Sequence, residues 1–145
     1  MKKLVVCALT ASMVLGVTSP VYAEEEKTYK IGMSIDTTSQ PWRAGLADDV
    51  TKEAEKYDNV ELTVTDAGGD TNKQISDVED LITKGVDAIL ISPAESQPLS
   101  AICKTAVEAG IYVVVLDREL TGDGWTTFIG ANNADIGAAA GEFIK

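Results

Sequence analysis

The run IYVVVLDR at residues 111–118 decides how this chain folds. Its apolar, mostly β-branched residues end abruptly in Asp117 and Arg118. Such a run is typical of a strand buried on both faces, as in the parallel sheet of an α/β domain. In open α/β sheets, ligands bind in the crevice beyond the carboxyl ends of the strands. Asp117 and Arg118 are therefore expected where a polar ligand is held.

The amino terminus has the pattern of a secretory signal peptide. Lysines at positions 2 and 3 precede an apolar stretch from Leu4 to about Val17, and Val21 and Ala23 supply the small residues of a cleavage site. The apolar stretch is roughly 14 residues long, short of the ~20 needed to span a bilayer. The pattern predicts that residues 1–23 are a cleavable signal and that the mature chain is exported.

The charge and composition exclude several classes of function. The chain has 12 basic and 23 acidic residues, and cleavage would remove two of the lysines. Such an acidic chain is a poor partner for nucleic acid or an anionic membrane. It has no histidine, so no histidine base and no serine triad are available, and neither a soft-metal site nor a cofactor is expected. Cys103, left alone after cleavage, is predicted to be a small buried hydrophobe.

Strands alternate with helices along the rest of the chain. Strand patterns recur at intervals of roughly 25 to 30 residues, about the length of a βαβ crossover. The predicted strands are residues 29–35, 60–65, 86–91, 111–116 and 125–130. Helical patterns separate the first four strands, and Asn132 and Asn133 are predicted to cap a last helix. This alternation predicts an α/β domain with a doubly wound parallel sheet.

Two helices carry specific expectations. The first has apolar residues at helical spacing, namely Trp42, Leu46, Val50, Ala54 and Tyr57. The second is predicted to begin with a capping box formed by Thr71 and Gln74. The glycine pair before it, residues 68–69, is not part of a phosphate-binding motif and predicts a simple turn.

Polar residues follow the strands on one edge of the predicted sheet. Asp36, Asp66 and Asp117 follow the first, second and fourth strands, and Ser92 ends the third. Asp66 is predicted to be structural, tying down the glycine turn. A two-component receiver domain also has acidic strand ends, but it needs two acids after the first strand and a cytoplasmic chain. Only Asp36 stands there, behind a signal peptide.

Trp42 and Arg43 have two interpretations each. Trp42 is either a core aromatic or a ligand contact, and Arg43 is either an ordinary surface charge or a hydrogen-bond donor to the ligand. The first loop shares its sheet edge with Asp117, which favours the ligand. An aromatic ring, a guanidinium and a carboxylate together suit a polyhydroxylated ligand, because the ring packs on C–H groups while the charged groups bind hydroxyls. Trp125 is predicted to be packing.

A set of motifs resembles the ribose/galactose class of periplasmic sugar-binding proteins of ABC importers, which are type I periplasmic binding proteins. The motifs are PWR at 41–43, VDAILISP at 86–93, EAGIYVVVLDR at 108–118 and IGANN at 129–133. The resemblance implies the strand order 2-1-3-4-5 and two α/β domains joined by a hinge. Residues 24–131 would then be the first domain, and residues 132–145 would cross the hinge into the first helix of the second.

The resemblance also implies a binding site and partners. The family's contacts fall on seven residues: Asp36, Gln40, Trp42, Arg43, Ser92, Asp117 and Arg118. Ribose binders carry asparagine at the position of Ser92 and paired phenylalanines at residues 42–43. These departures argue against ribose itself, and the Trp–Arg pair is similar to the galactofuranose-binding branch.

The expected function is therefore that of a periplasmic protein, not an enzyme, that delivers a sugar (pentose, hexose or furanose) or polyol to an inner-membrane ABC permease. A ligand-sensing module that feeds a membrane receptor or chemotaxis system, such as a chemoreceptor, is the alternative. Related DNA-binding repressors would need a helix-turn-helix where this chain has its signal peptide.

Overall fold

The computed structural model describes residues 27–145, so the predicted signal peptide lies outside the described residues. The elements are β1 (Tyr29–Ile35), α1 (Pro41–Ala54), β2 (Val60–Asp66), α2 (Thr71–Thr83), β3 (Ala88–Ser92), α3 (Ser96–Glu108), β4 (Tyr112–Leu116), β5 (Thr127–Ile129) and α4 (Asn133–Ile144). All paired strands are parallel, and the sheet order is β2-β1-β3-β4-β5. The predicted fold class and strand order are confirmed. Within the described range, no helix is both long and apolar enough to cross a membrane.

The main core lies between the sheet and the helices α2 and α3. Alternate residues of β3 and β4 point into it, and Leu81, Leu99 and Cys103 meet them from the helices, all fully buried. The sheet and α2 approach closely where β1 has Gly32, since a Cβ there would lie 2.6 Å from Cδ1 of Leu81. Cys103 is fully buried, which confirms the predicted buried hydrophobe, and burial raises the pKa of its thiol to about 12.

The opposite face of the sheet is only partly covered. Helix α1 packs there over Met33 and Ile35 through Ala47. Next to it, on β4, Tyr112 is half exposed and Val114 and Leu116 are partly exposed. The expectation that β4 is buried on both faces is therefore wrong on this side, because within residues 27–145 α1 is the one helix that packs on this face and it lies over β1 and β2.

Helix α1 buries only part of the predicted stripe. Trp42 and Tyr57 are more than half exposed, whereas Arg43 and Ala47 are buried. Leu46 and Val50 are partly buried, as expected. The helix is turned so that the guanidinium of Arg43 reaches acidic partners at the strand ends. An apolar pattern alone does not reveal such a buried ion pair.

Helix α2 begins with a different cap from the predicted one. Asp70 is the N-cap, and its Oδ1 accepts hydrogen bonds from the amides of Asn72 and Lys73 at 2.8 and 3.1 Å. The capping box of Thr71 and Gln74 is wrong, because Thr71 is already helical and Gln74 is buried. The preceding glycines have positive φ values of 63° and 86°, which confirms a simple turn at residues 68–69.

Helix α4 begins where the asparagines predict. Asn132 is its N-cap, and the Asn132 Oδ1 accepts hydrogen bonds from the amides of Ala134 and Asp135. Every residue of α4 is exposed, and Phe143 is 92% exposed. This helix therefore stands apart from the core described above.

Candidate functional site

Three neighbouring strands bring polar residues to one edge of the sheet. β1 leads into Asp36, β3 ends at Ser92 and β4 leads into Asp117. The amide of Asp36 donates to the carbonyl oxygen of Ser92 at 3.2 Å, which joins the first two ends directly. Because β3 lies between β1 and β4, Ser92 sits between the two carboxylates.

Arg43 of α1 reaches all three of these strand ends. Its Nη1 lies 2.8 Å from Oδ1 of Asp36 and donates to Oγ of Ser92 at 2.7 Å. Its Nη2 lies 3.8 Å from Oδ2 of Asp117, an ion-pair distance beyond hydrogen-bond reach. The Arg43 side chain is only 7% exposed. Arg43 is thus a buried cation between two carboxylates, and the surface-charge interpretation is wrong.

Gln74 fixes the backbone of Ser92 from the other face of the sheet. Its Nε2 donates to the carbonyl oxygens of Ser92 at 2.9 Å and Ser34 at 3.4 Å, and its Oε1 accepts from the amide of Ala94 at 2.8 Å. This role of Gln74 was not predicted from the sequence. Its burial could have been predicted, because Gln74 stands at helical spacing from Val78 and Leu81 on the stripe that α2 buries.

Asp117 combines an unusual backbone with an accessible carboxylate. Its φ is 67°, its amide donates to the carbonyl oxygen of Ile129 at 2.9 Å, and its side chain is 45% exposed. The left-handed conformation is one that aspartate tolerates better than most residues. It turns the chain sharply at the end of β4, so Asp117 and Arg118 both line the edge.

A cavity of about 510 Å³ opens beside Asp117 and Arg118. Its other walls come from the following loop and from the β5–α4 connection: Glu119, Phe128, Gly130, Ala131, Asn132 and Asn133. These residues were not predicted from the sequence to be contacts. Their position could have been predicted, because the segment IGANN at residues 129–133 comes at the carboxyl end of a strand of the same parallel sheet.

Gln40 and Trp42 stand exposed at the start of α1. Trp42 is 58% exposed, and its ring centroid lies 5.7 Å from Cζ of Arg43. The core-aromatic interpretation of Trp42 is therefore wrong. Gln40 is the N-cap residue of α1 but makes no capping hydrogen bond with its side chain. The structure thus groups Asp36, Arg43, Ser92 and Asp117, places Arg118 on the cavity, and leaves an aromatic ring over the buried guanidinium.

Asp66 stabilises the loop before α1. Its carboxylate accepts hydrogen bonds from the hydroxyl and the amide of Thr38 and from the amide of Gly68, the last at 2.8 Å. The hydrogen bond from the Thr38 hydroxyl, above all, lowers the pKa of Asp66. The predicted structural role is confirmed, and it extends to the loop that leads to Gln40.

The site is polar and close to neutral. Arg43 and Arg118 face Asp36, Asp117 and Glu119, which gives a net charge of −1. Across residues 27–145, no cluster of three or more metal-ligating side chains occurs. Carboxylates and guanidinium groups that already balance one another suit an uncharged ligand with several hydroxyl groups, each of which can both donate and accept.

A doubly wound domain with a polar site at its carboxyl edge is the architecture of one lobe of a solute-binding protein. The family comparison agrees: the chain belongs to the periplasmic binding protein domain family, whose model matches residues 31–145. Its members are solute-binding proteins and not enzymes, as the sequence predicted.

Relatives cover a range of sugars. The ribose import binding protein of Bacillus subtilis is 35% identical over 99% of this chain and 50% of its own length. The fructose-binding periplasmic domain of a hybrid two-component system is 34% identical with a TM-score of 0.75, over 80% of this chain and 38% of that one. A Caulobacter myo-inositol-binding protein is 28% identical with a TM-score of 0.73, over 79% and 39%. The chain spans about half the length of the curated relatives it matches.

Proposed function

We propose that this chain forms the first lobe of a periplasmic solute-binding protein that captures a sugar or polyol for ABC-type import. Residues 1–23 would direct export and residues 24–131 would form the first domain. Residues 132–145 would cross the hinge and begin the second domain, and the full exposure of α4 supports that division. The partner would be an inner-membrane ABC permease.

The observation that carries this proposal is the pairing of a buried guanidinium with an accessible carboxylate at the carboxyl edge. Asp117 faces the 510 Å³ cavity while Arg43 lies behind it, 3.8 Å away. A ligand hydroxyl can accept a hydrogen bond from the arginine and donate one to the carboxylate. This pattern suits neutral polyols, whereas an anionic group on the ligand would meet a site whose net charge is already −1.

The side chains around this pair narrow the ligand class. The exposed face of Trp42 offers a platform for the C–H face of a sugar ring. Ser92 has no side-chain amide like that of the asparagine in ribose binders, and its hydroxyl already accepts from Arg43. A hexose, a furanose or a polyol is therefore our proposed ligand in preference to ribose.

Calorimetric titration of the full-length gene product tests the proposal. The panel is D-ribose, D-fructose, L-arabinose, D-galactose and myo-inositol, with glucose 6-phosphate as an anionic control. We expect at least one neutral member to bind and the phosphate not to bind. Trp42→Phe should weaken binding, whereas Trp125→Phe, a change of the partly buried core tryptophan, should leave it near the wild-type value. A folded protein that binds no neutral member would contradict the proposal.

A sensing role is the second candidate, supported by the likeness to the fructose-binding domain of a two-component system. The two roles predict different consequences of deleting the gene. Loss of uptake of the bound sugar, measured with radiolabel, would indicate import. Unchanged uptake with loss of a sugar-dependent chemotactic or transcriptional response would indicate sensing.

A further inference from the structure

We infer that Asp36 and Ser92 are positioning residues that hold Arg43, and that one face of the site reads its ligand through Nη2 of Arg43 and the carboxylate of Asp117. The inference rests on the proposed function and deepens it. It differs from the contacts that the family resemblance implies, where both Asp36 and Ser92 touch the sugar.

The burial of Asp36 and Ser92 is the first reason. Ser92 is fully buried and Asp36 is 8% exposed, so neither side chain has a free surface for a sugar. Asp117 is different, because nearly half of its side chain is accessible. Arg43 is as buried as Asp36, so its contact with the ligand is confined to Nη2, the atom that lies beside the accessible Asp117 carboxylate.

The hydrogen bonds are the second reason. The Asp36 Oδ1 accepts from the amide of Thr37 at 2.7 Å and forms an ion pair with Nη1 of Arg43 at 2.8 Å. The Ser92 hydroxyl accepts from the same Nη1. Nη1 is therefore held by one hydrogen bond and one ion pair, while Nη2 lies 3.8 Å from the Asp117 Oδ2. A planar guanidinium fixed at Nη1 must present Nη2 in one direction.

The support of Ser92 from α2 is the third reason. Gln74 binds the Ser92 carbonyl oxygen and the Ala94 amide, and all its recorded partners are backbone atoms. The strand end that carries the Ser92 hydroxyl is thus held from the face opposite to Arg43. This support fixes the position at which the Ser92 hydroxyl accepts a hydrogen bond from the Arg43 guanidinium.

The distance between Arg43 and Asp117 determines which ligand group the pair can bind. At 3.8 Å the two groups attract each other but share no hydrogen bond. One hydroxyl placed beside both can accept from Nη2 and donate to the Asp117 carboxylate at once. A deoxy analogue that lacks this hydroxyl, or an ether in its place, would leave the carboxylate without a donor. Selectivity at this position would therefore depend on the rigidity of Arg43.

The first arm of the test needs no sugar. The ¹⁵Nη resonances of Arg43 are recorded by NMR in the ligand-free, full-length protein. A guanidinium fixed at Nη1 rotates slowly, so we expect two separate Nη signals in the wild type and in Ser92→Thr, which keeps the hydroxyl. We expect them to merge in Ser92→Ala and in Asp36→Asn. Merged signals in the wild type, or separate signals in all variants, would overturn the inference.

The second arm is a double-mutant cycle with D-fructose, L-arabinose and myo-inositol as calorimetric probes. We expect Ser92→Ala to raise the Kd about tenfold in the wild type, in line with loss of a hydrogen bond to a charged group. In an Arg43→Met background the same change should alter the Kd less than about twofold, because non-additivity marks residues that act through one another. An equal effect in both backgrounds would mean that Ser92 contacts the sugar itself.

The two arms separate failure of the inference from failure of the proposed function. If no probe binds but the ¹⁵Nη signals behave as expected, sugar binding is contradicted and the positioning of Arg43 stands. If a probe binds and the NMR signals are merged in the wild type, the proposed function stands and the positioning role fails. Thermal unfolding of each variant checks that a change in Kd does not come from unfolding.

Discussion

Asp117 is the one non-glycine residue with a positive φ in the part of the chain that the structure describes. Glycine adopts this conformation at no steric cost and asparagine tolerates it, whereas alanine is disfavoured by about 1 kcal/mol. We therefore expect Asp117→Asn to keep the free energy of unfolding. In urea denaturation, the free energy of unfolding of Asp117→Ala should be about 1 kcal/mol lower than that of Asp117→Gly.

Binding provides the second readout for the same variants. Each of them removes the carboxylate, so all three should lose binding of the panel sugars in calorimetry. Asp117→Asn is the informative change, because it separates charge from backbone conformation. Unaltered affinity in Asp117→Asn would show that the site does not use the negative charge. Equal stability of the alanine and glycine variants would show that the left-handed conformation carries no cost.

The residue types at the site were predictable from the sequence, but their partnerships were not. Parallel strands place Asp36, Ser92 and Asp117 on one edge whatever the details, so alternation of strands and helices was enough to group them. The contact of Arg43 with Asp36 depends on how α1 is rotated about its axis. The apolar pattern gave the wrong rotation because Trp42 counts as hydrophobic, yet its ring lies outside above Arg43.

Among the elements, α2 and α3 offer a matched comparison of helix capping. The Asp70 carboxylate caps α2, whereas the N-cap residue of α3, Glu95, makes no capping hydrogen bond with its side chain. We expect Asp70→Ala to lower the free energy of unfolding by about 1 kcal/mol. Glu95→Ala should change it by less than about 0.5 kcal/mol, as for a surface substitution. Urea denaturation measures both, and equal losses would contradict the assigned caps.

The loop between β1 and α1 depends on a carboxylate whose pKa is lowered. Asp66 accepts from Thr38 and Gly68, so its folded-state pKa lies below the ordinary value of 3.8. The folded state then binds fewer protons than the unfolded chain in acid. The stabilisation is present above about pH 4 and is lost as the pH falls through the folded-state pKa.

This linkage gives a pH-dependent prediction for Asp66→Asn. The variant should be less stable than the wild type at pH 7, and the difference should shrink as the pH falls below about 4. Urea denaturation at pH 7, 5 and 3 measures it. Asp58→Asn is the control, because Asp58 is exposed and takes part in none of the recorded side-chain hydrogen bonds of residues 27–145. A difference that stays constant down to pH 3 would contradict the assigned hydrogen bonds.

At the scale of the molecule, the two faces of the sheet are unequally covered. The face under α2 and α3 is closed, whereas the α1 face keeps apolar groups accessible, with Tyr112 50% and Ile129 59% exposed. A mainly apolar groove of about 350 Å³ also opens beside α1 between Val50, Leu62 and Leu90. Accessible apolar surface of this kind on a sheet favours association and binding of apolar dyes.

This unequal covering predicts how residues 24–145 behave when produced alone. They should bind the dye ANS strongly, while the two-lobed protein proposed above should bind less per mole. Ile129→Thr combined with Leu116→Thr should lower the dye signal of the piece, because both side chains lie on the open face. Ala101→Thr, at an exposed position of α3, is the control and should leave the dye signal unchanged. Equal dye binding by the piece and the full-length product would mean that the open face of β4 and β5 stays accessible in the whole protein.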